Sequence, residues 1–90
     1  MAGVQLAPGP DGFDVAGTGL EIGFGRSEAG AIAAAGKVLG RTDPKLGATP
    51  GGCRIWRWPG GVAMIVRDGR FVGWLDPALG AGGDICGAVA

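Results

Sequence analysis

The sequence predicts an α+β domain, an antiparallel β-meander of three strands plus short N-terminal strand segments packed on one α-helix. Three observations lead there. Residues 54–74, RIWRWPGGVAMIVRDGRFVGW, alternate in side-chain character around two turn signals. Residues 27–40 carry the start and stop signals of a single helix. Residues 13–24, FDVAGTGLEIGF, alternate apolar with small or polar positions. Ninety residues set one domain, 1–90, with 1–12 as a flexible lead and 76–90 as an irregular tail.

LAPGPDG, residues 6–12, is turn and linker chemistry, with two prolines, two glycines and an Asp-Gly. Phe13 and Val15, then Leu20, Ile22 and Phe24, mark one or two short strands broken near residues 16–19. In the helix that follows, Ser27 is the N-cap and Glu28 sits at the positive end of the helix dipole. Ile32, Ala35 and Leu39, with Ala31 and Val38 beside them, form the core-facing stripe. Gly40 suits the position just past the end, Arg41 suits the terminal carbonyls, and Pro44 forbids continuation. Gly30 and Gly36 weaken the isolated helix by about 0.8–1 kcal/mol each and let it lie close on a sheet. KLGATPGG, residues 45–52, reads as a loop.

Asp68-Gly69 is the strongest hairpin signal, a two-residue turn that sets Arg67 opposite Arg70 and Val66 opposite Phe71. Strict alternation from there puts Ala63 opposite Trp74 and Val62 opposite Leu75. A three-residue turn at Pro59–Gly61 puts Trp58 opposite Val62 and Trp56 opposite Met64. One face then holds Trp56, Trp58, Val62, Met64, Val66, Phe71 and Leu75, with Arg54 at its end, and the helix must cover it. Each such side chain contributes roughly 1.5–3 kcal/mol when buried. The other face holds Ile55, Ala63, Ile65, Val72 and Trp74, flanked by Arg57, Arg67 and Arg70. Either the N-terminal segment or the tail folds across that face, with arginine stems over Trp74, or it is an exposed strip rimmed by arginines. After Leu75, residues 76–79 form a turn or short helical piece.

Composition narrows the chemistry. Eight cations and eight anions cancel, but residues 1–36 carry a net of −3, residues 37–70 a net of +5 and residues 71–90 a net of −2. No apolar run approaches the ~20 residues of a membrane span. MAGVQLAPGPDG has neither the basic start nor the apolar core of a signal peptide. The two cysteines, Cys53 and Cys86, fit one disulfide, which implies an oxidising compartment and makes Met1 an expression start in place of a removed leader. The competing reading is two buried thiols in a cytoplasmic protein.

Catalysis has little to work with. With no histidine, Ser-His and Cys-His nucleophile systems and the commonest metal ligand are gone, and the single serine, Ser27, is used as a cap. Two glycine-rich stretches, GFGRSEAG and GAIAAAGKV, miss the spacing of dinucleotide and phosphate loops. No cofactor is expected. Arginines interleaved with tryptophans suit single-stranded nucleic acid, but zero net charge and acidic ends weigh against it.

The order GLEIGF, helix, LGR, CRIWRW, VAMIVRDGRFVGW resembles the small helix-then-meander domain of bacterial envelope proteins. That group includes outer-membrane-assembly lipoproteins of the SmpA/OmlA type and the half-domains of beta-lactamase inhibitor proteins. The matching pieces are Ile22-Gly23-Phe24, Leu39-Gly40, Trp56-Arg57-Trp58 and Ile65 through Val72, within Leu20 to Leu75. The segment from Phe24 to Leu39 is about two turns longer than that pattern, Pro44 falls later, and the lipid-bearing N-terminal cysteine of the lipoproteins has no counterpart. The resemblance implies a non-catalytic protein-binding domain, an inhibitor or accessory subunit in the periplasm or cell envelope. The expected contact residues are Trp74, Arg57, Arg67, Arg70, Ile55, Ile65 and Val72. The alternatives are a single-stranded nucleic-acid-binding module and a structural subunit with no ligand of its own.

Overall fold

A computed structural model describes residues 5–16, 20–40 and 43–88, so Arg41 lies outside the described residues. The described residues form one helix and two antiparallel sheets. The first sheet has the order β1 (Gln5–Gly9), β2 (Gly12–Ala16), β3 (Leu20–Gly23). Helix α1 (Glu28–Leu39) follows. The second sheet runs in chain order: β4 (Lys45–Ala48), β5 (Arg54–Arg57), β6 (Ala63–Arg67), β7 (Arg70–Asp76), β8 (Gly80–Gly83). The expected meander is therefore its middle, β5 to β7. Two segments read as loop and as irregular tail supply the outer strands β4 and β8, and the segment read as a flexible lead supplies β1. Short glycine-rich strands lack an alternation of their own and are recruited by the backbone groups of a strand already in place.

The helix ends follow local chemistry. Ser27 is extended, and its Oγ accepts the N–H of Gly30 at 3.2 Å. Gly40 is left-handed (φ 68°) and its N–H bonds back to the Gly36 carbonyl. The buried stripe is Ala31, Ala35 and Gly36, with Ile32, Val38 and Leu39 half-buried at its margins. Small residues allow the helix to lie against β1, β3 and β7.

The turns are also as read. Asp68 (φ 53°) and Gly69 (φ 76°) bend the hairpin, with Arg67 opposite Arg70 and Val66 opposite Phe71. Trp58 donates its N–H to Val62 and Trp56 faces Met64 across the other turn. Asp76 Oδ1 accepts from the N–H groups of Ala78 and Leu79, which makes the turn into β8.

One step past the hairpin the register changes. Ile65 pairs with Gly73 rather than Val72, so Met64 meets Trp74 and Ala63 meets Leu75. Val72 is the extra residue of a β-bulge. It sends Val72 and Gly73 to the same side and exchanges the faces of everything beyond. Trp74 thereby turns to the helix side and Leu75 away from it, the reverse of strict alternation. Gly73 has a local reason to be glycine, because a β-carbon there would collide with the Asp84 carbonyl. Gly82, opposite Trp74, leaves the space the indole ring occupies.

Each face of the larger sheet has its own core. On the helix side Trp58, Met64, Val66, Phe71 and Trp74 pack with Phe13, Ile22, Ala31 and Ala35. Phe13 stacks on Phe71 at 5.5 Å between ring centres, and Trp74 lies 6.3 Å from Phe13. The smaller sheet thus shares with the helix the cover expected of the helix alone. On the opposite side Ile55, Ala63, Ile65 and Leu75 are covered by the tail through Cys86 and Ala88.

Candidate functional site

The residues expected to form an exposed strip are distributed over three environments. Trp74 is only 5% exposed, and its Nε1 donates to the Gly9 carbonyl at 2.8 Å. Ile55 and Ile65 are buried beneath the tail, and Val72 packs half-buried against the same cluster. The bulge removed the tryptophan from the strip, and the tail closed over the rest.

The three arginines remain at the surface with different partners. Arg67 clamps the tail: its Nε and Nη2 reach Asp84 Oδ2 at 3.0 and 2.9 Å, and Nη2 approaches Cys86 Sγ at 3.3 Å. The Asp84 carboxyl is held below its ordinary 3.8, first by the Cys86 N–H that it accepts and then by Arg67. Arg70 donates to the Gly25 carbonyl at 3.2 Å. Arg57 is exposed and, among the described residues, forms no ion pair. Cys53 and Cys86 are bridged, as read, which ties the tail to the start of β5.

Tryptophan positions also bear on nucleic acid. Trp58 and Trp74 are buried, and Trp56 is half-buried. The Arg54 guanidinium lies 5.7 Å from the centre of the Trp56 ring. Glu28, on the first turn of α1, accepts from both Arg54 Nε (2.8 Å) and Trp56 Nε1 (2.7 Å). A sheet face of free aromatic platforms, which base stacking needs, is not formed by these three residues.

What sequence reasoning missed is the outer edge of the larger sheet. All four residues of β4 are exposed, and Leu46 is 51% exposed, a large apolar side chain in solvent. Among the described residues the strand pairs on one side only, with β5, in the register Lys45–Arg57, Leu46–Trp56, Gly47–Ile55, Ala48–Arg54. Thr49 donates its N–H to the Cys53 carbonyl at 2.9 Å. By the two-residue alternation of antiparallel pairing, the backbones of Gly47 and Lys45 then also face β5, and those of Leu46 and Ala48 face outward. Lys45 at an edge was the available signal, because charged residues commonly mark edge strands.

Where β4 begins, Asp43, Lys45, Arg57, Trp58 and Pro59 line an open cleft of about 360 Å³. Lys45 and Arg57 are directly opposed cations, an arrangement that costs stability in a sheet. Among the described residues the buried indole N–H of Trp58 meets no acceptor, an arrangement that costs roughly 1–3 kcal/mol. No family model, no curated protein and no solved structure matches this chain.

Proposed function

We propose that this chain is a non-catalytic protein-binding domain, an inhibitor or accessory subunit of the bacterial cell envelope, that engages its partner through the β4 edge. The observation that carries the reading is β4 itself, an edge strand exposed at all four residues with Leu46 presented to solvent. An exposed strand edge offers main-chain donors and acceptors that an incoming strand satisfies, and its alternate side chains supply the selectivity. Two of the other sheet ends are less suited. β8 carries nothing larger than a methyl group, and β1 contains Pro8, which lacks a ladder donor. The Cys53–Cys86 bridge fits an oxidising compartment, in keeping with an envelope location. No helix among the described residues is long and apolar enough to cross a membrane.

The test is cross-linked capture from bacterial envelope extract with the native chain, Leu46→Glu and Ala48→Pro. Proline at Ala48 removes an outward N–H while leaving the pairing with β5 intact. The reading expects a captured protein that both variants lose while their melting curves stay within about 1 kcal/mol of native, as surface changes do. Capture of the same protein by all three chains overturns it, as does the absence of any captured protein.

A further inference from the structure

Resting on that reading, we infer that the occupant of the β4 edge is an extended acidic peptide segment, with a carboxylate side chain seated at the Lys45–Arg57 cleft. The argument is one of charge and geometry. Arg54, at the far end of β5, is neutralised by Glu28, and Arg67 by Asp84. Lys45 and Arg57 face each other across β4 and β5, and neither has an ion pair among the described residues. Asp43 shares the cleft without reaching either cation, so the lining keeps a net charge of +1.

An incoming strand antiparallel to β4 pairs its main chain with Leu46 and Ala48. The partner residue beyond Leu46 then arrives next to Lys45, at the mouth of the cleft. A carboxylate there relieves the repulsion between Lys45 and Arg57, and its hydrocarbon stem lies beside Pro59 at the rim of the cleft.

The probes are two synthetic octapeptides of alternating threonine and glutamate or threonine and lysine, each titrated into the full chain under nonreducing conditions. Amide resonances and hydrogen exchange are followed. The glutamate peptide is expected to shift and protect the Leu46 and Ala48 amides. The double variant Lys45→Gln/Arg57→Gln should weaken its binding about tenfold, the scale of two exposed charge contacts. The lysine peptide should leave those amides unmoved. Equal binding of both peptides, no effect on β4, or unchanged affinity in the double variant overturns the inference. Protection of Leu46 and Ala48 without peptide, in a chain that sediments as a dimer, assigns the edge to a second copy and overturns it too. Should the envelope capture depend on Leu46 while the glutamate peptide fails, the docking edge stands and only its acidic occupant falls.

Discussion

The two faces of the five-stranded sheet are closed by different means. On the helix side, Phe13, Phe71, Trp58, Trp74 and Met64 interlock over a large apolar volume, and a helix and a second sheet lie over it. On the tail side, Ile55, Ala63, Ile65 and Leu75 are roofed by a short run of mostly small residues ending in Cys86 and Ala88. Little apolar area is gained by ordering that run, and ordering each residue costs about 1–2 kcal/mol of backbone entropy. Cross-links make up the difference. The disulfide joins residues 33 apart in sequence, Arg67 grips Asp84, and Asp84 donates its N–H to the Val72 carbonyl at the bulge. Burial holds one side and tethering holds the other.

The sharpest way to break that contrast is on the helix side. Trp74→Ala should destabilise the domain by about 3–5 kcal/mol, the range for a large aromatic removed from a core, as measured by urea denaturation. A loss below about 1 kcal/mol, the scale of a surface change, would place Trp74 outside the core. Next is the tether. Cys53→Ala/Cys86→Ala should lose about 3–4 kcal/mol in the chain-entropy account of a loop this long. Hydrogen exchange should show the loss first at the Asp84 and Ala88 amides, before α1. Equal opening of α1 would mean that the two sides unfold as one unit, and the contrast would fail.

The smallest effect is acid loosening of the tail. The folded Asp84 carboxyl lies below its ordinary 3.8, so its contribution is complete above that unfolded value. It is lost as pH falls through the lowered folded value. Denaturation midpoints taken from about pH 5 down to about pH 2 should therefore fall less steeply for Asp84→Asn than for the native chain. Parallel curves would remove Asp84 from the tether.

Much of the middle of the molecule was legible beforehand. Ser27, Gly40, Asp68-Gly69 and Pro59–Gly61 act through backbone geometry and hydrogen bonds within a few residues, and all four behave as read. Arg57 was singled out and sits at the candidate edge, but Lys45 and Leu46 were passed over because KLGA has no alternating pattern. The bulge had one trace in the sequence, a glycine inside a strand at Gly73, and strict alternation overruled it.

The amino-acid order alone determined the helix with both its ends, the two bends of the central meander and the pair of cysteines able to join. Long-range packing decided which way Trp74 points, what roofs Ile65, and that residues 45–48 and 80–83 become strands. The division has a physical cause. A cap or a tight turn is settled by atoms a few residues apart, whereas a bulge and an outer strand depend on the segment that arrives from elsewhere. Here those segments were the Asp84 backbone beside Gly73 and the β5 backbone beside β4.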